Sequence, residues 1–376
     1  MAHPDTPALV RHLVARFEAA AFSVLMGLPE SVQRAAAGRP VILDGQVLDT
    51  ETQFMLRLQQ LLREPSAETL PIHQGRAAIL RQAMLAGGRQ RVGAVHELEV
   101  PGADGPLAAR LYVPRSQVST GSPAARTGPT GATGATGAPA SPLLFFVHGG
   151  GMMYGDLDSH DAACRFLTER ADVRVLAVDY RLAPEHKFPA AVEDCWTAYQ
   201  WVAENAEELG ADPERIAVGG DSAGGYLSAV VALKAAEAGV PCAFQLLVYP
   251  VTNMVEQSES RRMFGEGFFL TTDFTELATE MYFIDEADRH DPLASIAFTE
   301  KIPENLAPAY VATAGFDPLR DEGEAWARRL ADSGVDVTLR RFPGLIHGFL
   351  NVVGVGRSQR AAVAEIAARL KAALHT

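Results

Sequence analysis

The sequence predicts an α/β fold with a mostly parallel central sheet and helices on both faces. Three observations predict it. From residue 143 onward, short apolar runs of strand length alternate with longer segments of helical spacing. The short runs are apolar throughout, the pattern of strands buried on both faces. One of them, Ile216 to Gly219, passes through Gly220-Asp221-Ser222-Ala223-Gly224 into an Ala/Leu/Val-rich helical segment, Tyr226 to Ala238. A sharp strand-to-helix turn of that kind tolerates only small neighbours, because its backbone is strained and crowded.

Taken in order, residues 8 to 26 carry Leu9, Val10, Leu13, Val14, Phe17, Ala21, Val24 and Leu25 at i, i+3, i+4 spacing, which predicts an amphipathic helix. A second helix is expected from about Asp49 to Arg63, with Phe54, Met55, Leu58, Leu61 and Leu62 on its apolar side, and a third from Gly75 to Leu85. Alternation at Val92 to Val100 and at Leu107 to Val113 predicts two strands joined by the turn Pro101-Gly102-Ala103-Asp104-Gly105. Ser116 to Ser141 is almost wholly Ser, Thr, Gly, Ala and Pro, and is expected to be a flexible surface loop. Its brief glycine-every-third period is too short to sustain a collagen triple helix. The loop divides two strands of a single domain spanning residues 1–376.

Buried strands are then expected at Leu143 to Val147, Val173 to Val178, Ile216 to Gly219, Phe244 to Tyr249, Tyr310 to Ala314 and Val335 to Arg341. Helices fill the intervals at Ala190 to Leu209, Ala223 to Ala238, Glu322 to Ser333 and Gln359 to Leu374. Thr252 to Pro292 interrupts the alternation and is rich in Met, Phe and Tyr, including Phe268. It reads as an excursion from the sheet and a candidate cap.

The bulk composition narrows the function. The 376 residues carry a formal net charge of −13, which argues against nucleic acid or an anionic membrane as partner. Cys164, Cys195 and Cys242 are odd in number, widely spaced and without a metal-ligand pattern. Arg16 and Glu18 break the run that a secretory leader would need, and no apolar segment has the length of a membrane span. A soluble, cytoplasmic protein is expected, without stable membrane insertion.

Ligand chemistry in such a sheet belongs at the carboxyl ends of the strands. Three loops there supply what acyl transfer requires, besides the hydroxyl of Ser222. His148-Gly149-Gly150-Gly151 follows the first buried strand, and consecutive glycines let backbone N–H groups turn inward to receive an oxyanion. A phosphate-binding loop would need a Lys-Ser/Thr pair or a dinucleotide fingerprint, and has neither. Asp317 comes first after the strand Tyr310 to Ala314, where a carboxylate can hold an imidazole in its working tautomer. Asp321 and Glu322 stand where a helix begins and fit capping instead. His347 follows the last strand, so the order Ser222, Asp317, His347 is the one this architecture uses.

Together with Tyr180-Arg181-Leu182-Ala183-Pro184-Glu185 and Asp317-Pro318-Leu319-Arg320-Asp321-Glu322-Gly323, these motifs resemble the hormone-sensitive-lipase family of bacterial esterases. The Asp before the serine marks its larger subgroup. The match is strong from about residue 90 and looser from about 43. The resemblance implies the α/β-hydrolase fold, with Ser222, His347 and Asp317 as triad and the N–H groups of Gly150, Gly151 and Ala223 as oxyanion donors. It implies a helical cap from about residues 1–85 and 252–292, and a small-molecule ester of short to medium acyl chain as substrate. No metal or organic cofactor is called for, and both monomers and homodimers occur. Met152 stands where an aromatic residue is usual, and Tyr226 where Asn is usual. Both, with Phe268, are expected to shape the substrate pocket. Asp156, Asp158, His160 and Asp161 suggest a metal, but the family has a similar structural segment there. The same triad serves amidases and carbohydrate acetyl-esterases, while related plant hormone receptors have lost the catalytic histidine that is present here.

Overall fold

A computed structural model of the chain describes residues 20–62, 65–118 and 140–375. The predicted first helix and the Gly/Thr-rich loop fall largely at 8–19 and 119–139, outside the described residues; 20–26 are helical. Two short strands, β1 (Ile42–Leu43) and β2 (Gln46–Val47), pair as an antiparallel hairpin. The main sheet is built from β3 (Ala94–Gly102), β4 (Gly105–Val113), β5 (Ser141–Val147), β6 (Arg174–Val178), β7 (Ala211–Asp221), β8 (Phe244–Val248), β9 (Ala309–Phe316) and β10 (Val337–Ile346). Their spatial order is β10-β9-β8-β7-β5-β6-β4-β3. All neighbours from β6 through β10 are parallel, while β4 runs antiparallel to β3 and β6.

Side chains alternate across each buried strand and so feed two cores. Leu143, Phe145 and Val147 face one side with Ile216, Val218, Leu247 and Val311, packed against the helices Ala190–Glu204, Ala223–Ala238 and Arg320–Asp332. Leu144 and Phe146 face the other with Ala217, Leu246, Val248 and Tyr310, under the helices Asp161–Ala171 and Arg357–Leu374. The apolar runs without polar alternation are thus explained: both faces are dry. The helix Ala223–Ala238 is buried over most of its circumference, which accounts for its small, uniformly apolar residues.

Every strand expected from the sequence is present within a few residues, with two informative extensions. β7 starts at Ala211, which pairs with Ser141; pairing with β5 then lapses over residues 212–215 at an irregularity and resumes at Ile216, opposite Leu143. β10 runs on to Ile346 across a register shift between Phe342 and Ile346 that contains Pro343-Gly344. The helix Asp161–Ala171 was not read from the sequence, since its eleven residues are interrupted by Arg165, Glu169 and Arg170.

The N-terminal segment lies along the body. Glu51, buried at the start of the helix Thr50–Leu62, accepts from the N–H groups of Arg357 (2.7 Å) and Ser358 (3.1 Å) and pairs with the Arg357 guanidinium. A carboxylate placed at the first turn of the last helix also meets its positive dipole end. Leu48 and Leu56 pack with Phe264, Phe268, Phe316 and Ile346. Ala67 packs with Met153, Tyr154 and Ala278.

The antiparallel edge is fixed by a buried ion pair. Asp194 is fully buried, accepts from Arg181 Nε (2.7 Å), Arg181 Nη2 (2.9 Å) and the Arg181 N–H (3.1 Å), and also takes the Ala103 N–H at the β3–β4 turn (2.9 Å). Removing one partner of such a pair leaves the other charge uncompensated. Asp194→Ala is expected to lower stability by about 3–5 kcal/mol, read as a fall in the urea midpoint at unchanged m-value.

Candidate active site

Ser222 sits between β7 and the helix Ala223–Ala238 at φ 55° and ψ −120°, a strained conformation for a residue with a side chain. Backbone bonds hold it there: its N–H donates to Val248 O (2.9 Å), and its carbonyl accepts from Tyr226 (3.1 Å) and Val251 (3.3 Å). The flanking glycines are dictated by the end of β5. A Cβ on Gly220 would lie 2.1 Å from Val147 O, and one on Gly224 would lie 2.0 Å from the same oxygen.

The Ser222 hydroxyl lies 2.9 Å from His347 Nε2, and His347 Nδ1 lies 2.8 Å from Asp317 Oδ2. All three side chains are buried. Asp317 Oδ1 accepts the Leu319 N–H at 2.8 Å, which orients the carboxylate. A carboxylate only accepts, so Nδ1 carries the hydrogen and Nε2 is left to accept from the serine hydroxyl. The three residues predicted from separate loops are therefore brought into one hydrogen-bonded series. The irregularity that ends β10 aims His347 at the serine, and the Tyr249 ring packs against the imidazole with centroids 4.5 Å apart.

Gly150 (φ 122°) and Gly151 (φ 62°) follow β5 in conformations that suit glycine, and a Cβ on Gly150 would lie 2.2 Å from Tyr154 O. Among the described residues, the N–H groups of Gly150 and Gly151 have no backbone partner. Ala223 is the first helical residue after Ser222, where helix geometry leaves its N–H without an intrahelical acceptor. The loop is braced from behind by the Tyr180–Glu185 motif. Tyr180 stacks on His148 (centroids 4.3 Å apart) and donates to His148 O at 2.9 Å, and the Ala183 N–H donates to Met152 O at 2.8 Å. Arg76, from the helix Ile72–Gly87, donates to Met153 O and Ala183 O, both at 2.9 Å, and pairs with Glu185 at 2.7 Å.

Asp221 ties these loops together, a role the motif did not reveal. Its buried carboxylate accepts from the Gly149 N–H (3.0 Å), from His160 Nε2 (3.1 Å) and from the Tyr249 hydroxyl (3.3 Å), and that hydroxyl in turn accepts the Leu350 N–H (3.2 Å). Burial alone would raise the Asp221 carboxyl; the charge and hydrogen bond of His160, the charge of His347 and the Gly149 N–H reverse that and hold it low. The signals available in the sequence were an acid adjoining the serine and a segment around His160 expected to be structural. Of the acids beside His160, Asp158 and Asp161 pair with Arg110, which also binds Glu97, while Asp156 accepts the Ser159 N–H at 2.7 Å. Among the described residues no group of three or more His, Cys, Asp or Glu is arranged to hold a metal.

The three residues expected to shape the substrate pocket are all buried in packed clusters. Met152 is buried behind the glycine loop at φ 57°, and Tyr226 is buried with its hydroxyl donating to Leu293 O. Phe268 packs edge-on to Phe264 and beside Phe316. The excursion also reaches the glycine loop directly, since a Cβ on Gly151 would lie 3.0 Å from Ala278 Cβ and 3.1 Å from Phe274 Cε1.

A family described as having the alpha/beta hydrolase fold matches residues 144–351, which contain every one of these loops. The chain belongs to that family. Within it, the chain is 41% identical over 360 residues to carboxylic ester hydrolase LipN of Mycobacterium tuberculosis, covering 93% of this chain and 90% of the relative. It is 36% identical over 297 residues to ethyl acetate hydrolase of Pseudomonas putida, covering 76% and 87%. Among solved structures it superposes on the ester hydrolase EH1AB1 from the metagenome of Lake Arreo, complexed with a derivative of bipyridine phosphonate. The TM-score is 0.79 at 36% identity, covering 88% of this chain and all of the other. The resemblance to the hormone-sensitive-lipase esterases is borne out. Among the described residues no helix is long and apolar enough to cross a membrane.

His148 supplies a pH signature. Burial, then the charge of His160, pushes it from its ordinary 6.5 down to about 4. Below pH 6.5 the unfolded chain takes up a proton that the folded chain refuses, so stability is lost as pH falls from 6.5 toward 4. Asp179, 3.8 Å from His148 Nε2, is pushed up to about 6 by burial and by Asp156 and Asp158, and acts in the opposite sense. It is 40% exposed, so solvent screens its share. Between pH 7 and 5, His148→Gln is expected to lose about 2 kcal/mol less stability than the unsubstituted protein, measured by urea titration at the two pH values.

Proposed function

We propose that the chain is a carboxylic ester hydrolase in which Ser222, His347 and Asp317 form the catalytic triad. The observation that carries the reading is the continuous series from Ser222 Oγ to His347 Nε2 and from His347 Nδ1 to Asp317 Oδ2, at 2.9 and 2.8 Å. Ser222 Oγ attacks the ester carbonyl carbon as its proton passes to His347 Nε2. The carbonyl oxygen becomes an oxyanion facing the N–H groups of Gly150, Gly151 and Ala223, and buried Asp317 supports the imidazolium. Collapse breaks the bond to the alcohol oxygen, which leaves with the proton from Nε2. Water then gives a proton to the same nitrogen and its oxygen to the acyl carbon; the bond from that carbon to Ser222 Oγ breaks, Oγ takes the proton back from Nε2, and the acid is released.

The substrate class we propose is esters of short to medium acyl chain. The helices Glu259–Phe264 and Thr272–Tyr282, with the N-terminal segment packed on them, form a cap above the strand ends. Phe274 and Ala278 stand against Gly151 and limit the room beside the acyl group. Named esterases among the relatives support this choice, including the ethyl acetate hydrolase. Three cysteines present as free thiols fit a cytoplasmic setting.

Ser222→Ala is expected to lower turnover of p-nitrophenyl esters by roughly five to six orders of magnitude with an unchanged circular-dichroism spectrum; near wild-type hydrolysis would reject the assignment. Across p-nitrophenyl esters of rising acyl length, kcat/KM is expected to peak at short to medium chains, and a continued rise into long chains would refute the cap's role.

A further inference from the structure

We infer that Phe269 is a specificity-determining residue on the alcohol side of the site, selecting esters whose alcohol is apolar and bulky. The inference rests on the triad reading above and goes beyond it. Phe269 has φ 78° and lies at the apex of a tight turn closed by the Leu270 N–H on Phe268 O at 3.1 Å. A three-residue turn with positive φ at its centre is rare and strained, and an aromatic residue there is unfavourable. The surroundings impose it: Phe268 is anchored in the cluster of Leu48, Phe264 and Phe316, and the Thr272 N–H closes the loop on Gly265 O at 2.8 Å.

The strain leaves a large apolar ring 42% exposed, while its neighbour Phe268 is buried. The ring lies against the residue after the catalytic histidine: a Cβ on Gly348 would be 2.9 Å from Phe269 Cε1 and 3.4 Å from Cδ1. His347 Nε2 hands its proton to the departing alcohol oxygen, so that oxygen must lie at the imidazole. A ring seated on the His347-Gly348 corner therefore flanks the alcohol, whereas Phe274 and Ala278 flank the glycine loop. An exposed aromatic surface there rewards an alcohol that covers it.

The test compares benzyl acetate with ethyl acetate, which share an acyl group and have alcohols of similar acidity. In Phe269→Ala the ratio of kcat/KM for benzyl over ethyl acetate is expected to fall about tenfold, and Phe269→Leu is expected to recover part of it. If Phe269→Ala fails to fold, Phe269→Gly, which accepts the positive φ, carries the same measurement. An unchanged ratio, or an equal loss on both esters, overturns the inference. So does a change that follows acyl length, seen with ethyl butyrate against ethyl acetate. Loss of activity in Ser222→Ala together with an unchanged Phe269 ratio would leave the triad standing and remove only this assignment.

Discussion

The buried carboxylate of Asp221 is the point on which the other loops depend. It lies one residue before Ser222 at the end of β7, yet it reaches the glycine loop after β5, the tyrosine after β8 and, through that tyrosine, the backbone just beyond His347. A charge almost wholly removed from water is costly unless its lone pairs are engaged, so its partners are constrained as much as it is. His160, itself buried and bonded to Ser159, completes the set. Four strand ends are held in one register by a group that need take no part in bond making. The arrangement gives the oxyanion donors and the nucleophile a common reference, which electrostatic catalysis demands.

Around that centre backbone strain gathers at the site. Of the six non-glycine residues with positive φ among the described residues, Met152, Ser222, Tyr249 and Phe269 lie at or beside it, while Asp44 and Asp172 occupy a hairpin turn and a helix end elsewhere. Where contact is closest the residue is glycine, at positions 150, 220 and 224, because carbonyl oxygens occupy the space a Cβ would need. The parallel sheet behind them is rigid, dry and packed on both faces, which lets it over-determine those conformations.

Much of this was legible in the sequence, for identifiable reasons. Uniformly apolar runs announced strands buried on both sides, and they are where periodicity placed them. Ser222, Asp317 and His347 could be chosen because each follows a strand, and strand ends converge in an open α/β sheet. The limits of β7 and β10 were not legible, since both strands cross an irregularity, at residues 212–215 and at Pro343-Gly344, that leaves no apolar signature. Nor were the partners of Arg76, Asp194 and Asp221, because ion pairs between residues far apart in sequence have no local pattern. Phe268 and Phe269 are identical in type and adjacent; only the turn decides which ring is buried and which is exposed.

Glu51 carries a consequence for how the chain is made. Its partners at Arg357 and Ser358 lie 306 and 307 residues downstream. At about 5–20 residues per second, ribosomal synthesis leaves that acid waiting roughly 15 to 60 seconds for the last helix to emerge. For most of that interval Leu48, Leu56 and their neighbours also lack Phe264, Phe316 and Ile346 as cover. The segment around Glu51 is therefore translated long before the residues that cover it and is among the last parts of the fold to be seated.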